Sequence, residues 1–287
     1  MPDWQPLPQS PAFEPAVWAE TLDGGQAFRW NRLPDGHAWR GIWSQHAVEL
    51  RLDPAAKVEW RALTPATTAA DIASYLALDV DFAAMADALP WRSDPVLAAA
   101  KARWPGLRLL RQPLGEALLG FQCSATKRIP QIKLGLDAIA RQFGRDLGHG
   151  CHALPTWAEL ATVDEAALRA TGIGYRAKNL HLTALFLQEH PGYLEAVETL
   201  PYPAAHAHLL ALPGVGPKVA DCVLLFGGQR YEAFPVDTWI LQTMAAHYRL
   251  DGWKPEQIAH FGRVHFGPAA GLAQQFLFAG ARRGKGA

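Results

Sequence analysis

The sequence predicts an α+β protein in which an N-terminal antiparallel β-sheet module, residues 1–66, precedes an all-helical region, residues 67–287. Between Glu20 and Thr64, short strand-like runs are separated by the turn signals DG, SQ and DP. From Ala66 onward alanine and leucine dominate, and helical patterns recur between prolines and glycines. A block of strands followed by a block of helices is typical of the α+β class.

The predicted strands lie in four runs of the first module, and these runs are rich in aromatic residues. The runs are AFRWNRL, HAWRGIW, AVELRL and VEWRAL. We expect Phe28, Trp30, Trp39 and Trp43 to form the core of the sheet rather than a platform on which bases stack.

The second module is predicted to be a succession of short helices. Their predicted bounds are 68–76, 81–89, 94–104, 113–122, 129–143, 156–160, 164–170, 176–189, 192–198, 238–248, 255–266 and 271–279, with a further helical pair around 204–228. Residues 144–155 are predicted to form an irregular loop, and the basic segment 281–287 a frayed tail.

The charge balance indicates that any contact with nucleic acid is local. The chain has 287 residues, enough for two or three modules, and its 27 basic residues balance 27 acidic ones. No overall basic field therefore attracts a polyanion. Local positive charge occurs in three places, each of which alone is usually a solvated face: Lys127 with Arg128, Arg176 with Lys178, and Arg282 with Arg283 and Lys285.

Cysteine usage and the N-terminus favour a reducing compartment. The three scattered cysteines, Cys123, Cys151 and Cys222, do not suggest a disulfide framework and cannot supply the four thiolates of an iron–sulfur cluster. No signal peptide or long apolar span is visible in the sequence. We expect a monomer without membrane contact, cytoplasmic in a bacterium or nuclear in a eukaryote, and not secreted.

The stretch LPGVGPK, residues 212–218, predicts a tight turn between two helices. Gly214 and Gly216 can take positive φ without steric cost, which lets backbone amides point outward. Pro217 suits the first position of a helix. Helix, hairpin and helix would together hold a phosphate without contacting any base. An ordinary helix–helix turn explains the same two glycines equally well.

Two residues beside this hairpin carry candidate chemistry. Lys218 would lie in the first turn of the second helix, where the helix dipole disfavours the ammonium form, and a free amine is a nucleophile for Schiff-base formation. Asp237 precedes TWILQTMAAHY and is predicted to be a helix N-cap. A capping carboxylate that is held rigidly can also stabilise a developing cation.

LPGVGPKVAD followed by PVD resembles the helix-hairpin-helix DNA glycosylase superfamily, in the branch whose hairpin lysine makes the enzyme both a glycosylase and an abasic-site lyase. Further segments resemble the 8-oxoguanine DNA glycosylase family and occur in its order along nearly the whole chain. They are LDGGQAFRW, YLALDVDF, RLLRQP, GIGYRAK and GLAQQFLF. The resemblance implies a helix-hairpin-helix glycosylase core after the sheet module.

The resemblance also implies an enzyme that flips 8-oxoguanine out of duplex DNA, excises it through a Schiff base on Lys218, and nicks the strand by β-elimination. Its partner would be duplex DNA that contains 8-oxoguanine or an abasic site. No cofactor is implied, although a monovalent cation, K⁺ or Na⁺, is expected at the 212–216 hairpin. Two alternatives are a monofunctional alkyl-purine glycosylase and a non-catalytic lesion-binding protein.

By resemblance, four residues form the pocket for the flipped base. A backbone carbonyl at Gly25 would accept the N7 hydrogen that 8-oxoguanine has and guanine lacks. Gln274 would hydrogen-bond the Watson–Crick edge, while Phe278 and Cys222 would lie on opposite faces of the base. Gly25 in a plain Gly-Gly turn and Cys222 as a core residue are the ordinary readings of the same positions.

The residues that meet the unpaired base and its neighbours are also implied by resemblance, and here the chain departs from the family. Tyr175 would wedge against the unstacked neighbour, and Arg176 would meet the widowed base. Thr126 stands where the family commonly has an asparagine, and Gln131 where it has an arginine. Trp239 replaces a histidine two residues after Asp237.

Overall fold

The structure, a computed structural model, describes residues 3–284. Five strands near the N-terminus form one antiparallel sheet, and this confirms the predicted sheet that precedes the helices. The strands are β1 (Gln5–Pro6), β2 (Trp30–Arg32), β3 (Ala38–Trp43), β4 (His46–Leu52) and β5 (Val58–Ala62), and their spatial order is β1-β5-β4-β3-β2.

Three of the four predicted aromatic residues, Trp30, Trp39 and Trp43, form the core of the sheet. Phe28 packs in the helical core instead, where its ring centroid lies 5.2 Å from that of Phe121. Strand pairing sets Trp30 opposite Gly41, where a Cβ atom would overlap the indole ring. Trp30 stacks on Trp43 at a ring-centroid distance of 6.1 Å, and its indole N–H donates to the Tyr75 hydroxyl at 3.3 Å. All four aromatic residues expected in this core are buried: Phe28, Trp30, Trp39 and Trp43.

Helices account for most of the remaining chain. They are α1 (Pro15–Asp23), α2 (Ala69–Tyr75), α3 (Phe82–Ala88), α4 (Pro95–Arg103), α5 (Leu114–Gln122), α6 (Ile129–Phe143), α7 (Trp157–Ala161), α8 (Glu165–Leu168), α9 (Arg176–Glu189), α10 (Tyr193–Thr199), α11 (Tyr202–Leu210), α12 (Pro217–Phe226), α13 (Thr238–Tyr248), α14 (Pro255–Phe266) and α15 (Ala270–Gly284). Within residues 3–284, no helix has the length and apolar character needed to cross a membrane.

Many of these helices begin where the sequence places a capping side chain. An oxygen of the capping residue accepts a hydrogen bond from the backbone N–H three residues later and so satisfies one of the free amides of the first turn. The residues that do this are Thr68, Asp81, Asp94, Thr156, Asp164 and Asp237.

Several elements differ from the sequence-based expectation. Strand β1 lies outside the four predicted runs, and α15 continues to Gly284, so that residues 281–284 of the predicted frayed tail are helical. The first module contains α1, which begins with Pro15 at a position where the missing amide hydrogen costs nothing. Residues 144–155 are not simply an irregular loop, because β6 (Asp146–Gly148) and β7 (Cys151–His152) pair as a short antiparallel hairpin. His149 has a φ of 53° between two glycines of positive φ, and this tight turn lets so short a segment fold back.

The helical core is centred on α12, whose residues from Val219 to Phe226 are all buried. Phe121 of α5 stacks on Phe226 at a centroid distance of 5.4 Å. Lys218 Nζ lies 5.2 Å from the centroid of the same Phe121 ring, so the C-terminal end of α5 also lies beside the start of α12 and its hairpin. Gln122 bridges the two, since its side-chain amide donates to the Pro213 carbonyl at 2.9 Å.

Candidate functional site

The hairpin between α11 and α12 has the predicted helix–turn–helix geometry, but only one of its two predicted glycines has positive φ. Gly214 has a φ of 72°, and a Cβ atom there would overlap the Asn179 side chain. Gly216 has a φ of −96° and is the N-cap of α12, where it offers no side chain to the amides of the first turn. A Cβ at Gly216 would meet no atom within 4 Å, so the surface beside these amides is open to an anion.

Two buried side chains that the sequence did not single out hold this hairpin. Gln122 and Thr183 both donate to the Pro213 carbonyl, at 2.9 and 3.0 Å, and the Gln122 amide also donates to the Thr183 hydroxyl at 2.9 Å. The Leu212 carbonyl accepts from the Val215 amide at 3.1 Å. A monovalent cation at residues 212–216 stays a prediction, and three carbonyls of the segment, those of Leu212, Pro213 and Gly216, already accept hydrogen bonds.

The Lys218 amine has a defined partner. Lys218 Nζ donates to Ser124 Oγ at 3.1 Å, while Ser124 Oγ itself donates to the Phe121 carbonyl at 2.7 Å. Because its only hydroxyl hydrogen is directed at that carbonyl, Ser124 presents a lone pair to the amine. Sequence reasoning missed Ser124, although the serine of the segment CSATKRI is its visible signal.

Asp237 is the N-cap of α13, as predicted, and its Oδ1 accepts from the Ile240 amide at 2.9 Å. Burial raises the pKa of the Asp237 carboxyl, while the Ile240 N–H and the charge of Lys218 act in the opposite direction. Burial likewise raises the pKa of the Cys222 thiol to about 12, with Lys218 and Asp237 both close enough to influence it. The structure therefore brings the lysine, the aspartate and an un-ionised cysteine together at the start of α12 and α13.

The predicted base pocket lies between the turn after α1 and the helix α15. Gly25 has a φ of 105°, and a Cβ there would lie 2.9 Å from Ile129 Cδ1 and 3.6 Å from Phe278 Cε1. Only a glycine leaves space between these two side chains. Gln274 is buried, donating to the Pro235 carbonyl at 3.1 Å and accepting from Gln275 at 2.7 Å. These two bonds use one N–H and one lone pair of the amide, so one donor and one acceptor site remain for a base.

Two loops meet at the predicted wedge and bring Thr126, Tyr175 and Arg176 together. The Arg176 guanidinium is buried and donates to the Ala125 carbonyl, to Thr126 Oγ1 at 2.8 Å and to the Ile173 carbonyl at 3.0 Å. It also lies 4.4 Å from the ring centroid of Tyr175. Tyr175 is 55% exposed and is the side chain presented to the surface, whereas Arg176 lies behind it.

Thr126 and Gln131, two departures from the family pattern, lie in different local structures. Thr126 has a φ of 54°, a left-handed conformation that strains a β-branched residue and suits asparagine better. Gln131 does not join the Thr126 cluster. Its side-chain oxygen accepts from the Arg128 amide at 3.0 Å and closes the first turn of α6.

The basic side chains of the three predicted clusters differ in exposure and in the contacts that they make. Arg128 and Lys178 are exposed, whereas Lys127 donates to the Gly172 carbonyl at 2.7 Å and ties the two wedge loops together. Arg282 pairs with both carboxylate oxygens of Glu20, at 2.8 and 2.6 Å. Lys285 and the Arg283 side chain lie outside the described residues.

Known proteins resemble this chain over most of its length. The family model described as 8-oxoguanine DNA glycosylase, N-terminal domain, matches residues 14–118. The N-glycosylase/DNA lyase OGG1 of Arabidopsis thaliana is 33% identical over 278 residues, which cover 90% of this chain and 75% of the relative. The N-glycosylase/DNA lyase of Saccharomyces cerevisiae is 30% identical over 262 residues, which cover 82% of this chain and 69% of the relative.

A solved structure shows the same architecture. It is the 8-oxoguanine glycosylase/lyase of Clostridium acetobutylicum in complex with double-stranded DNA containing cytosine opposite 8-oxoguanine. The two chains are 33% identical and superpose with a TM-score of 0.88, over 95% of this chain and 93% of the other. The likeness thus includes both the sheet and the helical region.

Proposed function

This chain belongs to the 8-oxoguanine DNA glycosylase family, and we propose that it excises 8-oxoguanine from duplex DNA and then nicks the strand. The observation that carries the proposal is the proximity of Lys218, on the hairpin helix, to Asp237 at the next N-cap, close enough for the lysine charge to act on the carboxyl. A monomer accounts for the reaction, because one chain supplies all of the residues that the reaction requires. Its substrate would place it with the chromosome, in a bacterial cytoplasm or a eukaryotic nucleus.

Binding would begin with the backbone of DNA. The open amides at the start of α12 suit a phosphate, and the exposed Tyr175 suits insertion into the base stack. Extruding one nucleotide costs a few kcal/mol of stacking and pairing, which inserted side chains offset in part. The flipped base would then lie between Gly25 and Phe278, with Cys222 as an apolar wall.

Excision would proceed by attack of the neutral Lys218 amine on C1′ of the flipped nucleotide. The Nζ–C1′ bond forms, the C1′–N9 bond breaks, and the departing base takes the electron pair and then a proton from water. Positive charge develops on the sugar in this step. The Asp237 carboxylate, fixed by its hydrogen bond from the Ile240 amide, stabilises that charge without having to reorganise.

Strand cleavage would follow from the same covalent link. The sugar ring opens, its oxygen gains the proton that Nζ loses, and a protonated imine joins Lys218 to C1′. The imine makes a C2′ hydrogen acidic, so that loss of this proton expels the 3′ phosphate by β-elimination. Each bond change uses the lysine, the aspartate and water, and the reaction as proposed calls for no redox cofactor.

Borohydride trapping on a duplex that contains 8-oxoguanine tests the proposal. A lyase forms an imine that borohydride reduces to a stable protein–DNA adduct, and we expect this adduct together with release of the base. An alkyl-purine glycosylase without lyase activity would release an alkylated base and form no adduct. A lesion-binding protein would shift the duplex in a gel, release nothing and form no adduct.

A further inference from the structure

The turn that carries Gly25 is held from two sides by ion pairs. On one side, Lys133 of α6 lies 2.7 Å from an oxygen of Asp23, the last residue of α1. On the other side, Arg282 of α15 contacts both carboxylate oxygens of Glu20, at 2.8 and 2.6 Å. We refer to these two pairs, Asp23–Lys133 and Glu20–Arg282, as the turn clamp.

The Glu20–Arg282 pair connects the turn to the helix that carries both proposed base contacts. Arg282 follows Phe278 by four residues and Gln274 by eight, so the three side chains lie on one face of α15. Glu20 lies directly beneath the turn, where a Cβ at Gly24 would come within 2.6 Å of its carboxylate oxygen Oε1. A shift of α15 therefore displaces Glu20 and, with it, the turn.

The Asp23–Lys133 pair connects the same turn to the opposite wall of the pocket. Lys133 lies one helical turn after Ile129, the residue whose Cδ1 fills the space beside Gly25. Asp23 is separated from Gly25 by a single residue. The pair thus fixes the distance between the start of α6 and the backbone at Gly25.

Burial indicates what the clamp contributes. The Glu20 side chain is only 2% exposed, and a buried ion pair adds little net stability compared with an apolar pair of the same volume. An ion pair does impose one geometry on its partners. Gln26, which directly follows Gly25, is fixed as well. Its side chain donates to the carbonyls of Thr21 and Arg108, at 3.0 and 2.9 Å.

We propose that Glu20, Arg282, Asp23 and Lys133 are positioning residues for lesion discrimination, which hold the Gly25 carbonyl against N7 of the flipped purine. The proposal rests on the proposed function. 8-Oxoguanine presents a hydrogen at N7, whereas guanine presents a lone pair. A fixed acceptor favours the first and opposes the second, and a recognition group of this kind must be held to within about 0.5 Å.

The test compares binding to three duplexes in a Lys218→Gln background, which cannot complete the reaction. The duplexes carry 8-oxoguanine, guanine or a tetrahydrofuran abasic analogue at one position. Lys133→Met breaks one pair, and Glu20→Gln combined with Arg282→Met removes the other without leaving a buried charge alone. We expect each variant to lose affinity for the 8-oxoguanine duplex on the order of tenfold, with unchanged affinity for the other two.

Two further variants separate positioning from general stability. Lys133→Arg keeps the ion pair and should keep the preference for 8-oxoguanine over guanine. Arg51→Met breaks the Arg51–Glu59 pair of the sheet, 2.7 Å in length and partly exposed like Asp23–Lys133, and should leave all three affinities unchanged. Melting temperatures of every variant report folding independently.

An unchanged ratio of 8-oxoguanine to guanine affinity in both clamp variants would overturn the proposal. So would an equal loss on all three duplexes, since the abasic analogue places no base in the pocket. If the Lys218→Gln parent itself shows no preference for 8-oxoguanine over guanine, the proposed function fails before the clamp is tested. These results are distinguishable because the parent and its clamp variants are compared on the same duplexes.

Discussion

Substituting Asp237 by asparagine separates its two roles, as a helix cap and as a negative charge beside the reacting sugar. Asparagine caps a helix about as well as aspartate does, so the hydrogen bond from the Ile240 amide is kept. What disappears is the carboxylate charge. We expect Asp237→Asn to fold normally and to lose excision.

The stability side of this prediction follows from the direction of the pKa shift. Burial raises the pKa of Asp237 in the folded protein, so the ionised form is less favourable there than in the unfolded chain. The stabilising contribution of this group is present at low pH and is lost as pH rises through the folded pKa. At neutral pH the uncharged asparagine avoids that cost, and the melting temperature should be equal or slightly higher.

Asp237→Ala provides the matched comparison, because it removes the cap and the charge together. Loss of an N-cap costs about 1 kcal/mol, which lowers the melting temperature by roughly 2–4 °C in a protein of this size. Loss of a preorganised electrostatic group slows the chemical step by roughly 100- to 1,000-fold. Both variants should therefore lose excision to a similar extent, while alanine alone lowers the melting temperature.

The assay is single-turnover excision of 8-oxoguanine beside thermal melting, both followed from pH 5 to 9. In the natural sequence, the excision rate should fall on acidification through a pKa above that of an ordinary aspartate, because the carboxylate is the active form. In Asp237→Asn the residual rate should lack the part of this acidic limb that belongs to the carboxylate, while the requirement for a neutral amine at Lys218 is common to both proteins. An asparagine variant with nearly natural excision would refute the electrostatic role, and an asparagine variant that melts as low as alanine would refute the account of capping.

Three other substitutions test the rest of the site. Lys218→Gln should still bind the lesion but give neither base release nor a trapped adduct, and an adduct that survives would identify another amine as the nucleophile. Ser124→Ala should slow imine trapping on the order of tenfold with little change in lesion affinity, because the amine loses its 3.1 Å acceptor, and Ser124→Thr should restore the rate. When 8-oxoguanine is paired in turn with each of the four bases, we expect excision to favour cytosine as the opposite base. This preference should be weaker, on the order of tenfold, than in a site that has the family's asparagine and arginine at positions 126 and 131. Thr126→Asn should sharpen that preference more than Gln131→Arg does, and a steep preference unaltered by both would mean that another residue reads the unpaired base.

Local chemistry explains why the sequence predicted the hairpin and the catalytic pair. A glycine with positive φ, a proline at the first helical position and an aspartate cap each act within a few residues, so their patterns are visible in one sequence. Gly214, Pro217 and Asp237 all occupy the predicted positions. Gly216 shows the limit of this reasoning, because its value lies in the open space beside it rather than in its φ.

The supporting residues were missed because they act across long separations in the chain. Ser124 and Lys218 are 94 residues apart, and Glu20 and Arg282 are 262 apart. No periodicity or spacing in a single sequence relates such positions. Arg282 illustrates the consequence. The sequence places its charge in a basic tail, whereas its partly buried side chain pairs with the buried Glu20 beneath the base pocket.

The end of α5 unites these separate parts of the site. Gln122 holds the hairpin through Pro213, and Ser124 holds the amine of Lys218, while the residues that follow directly form the loop against which Arg176 packs. One continuous segment thus contacts both the nucleophile and the wedge. The lysine attacks C1′ only of a nucleotide that the wedge has helped to extrude. A shared rigid support therefore keeps the amine correctly placed relative to the extruded nucleotide. A displacement of α5 would therefore impair extrusion and attack together, even though the proposed catalytic pair and the base contacts all lie outside it.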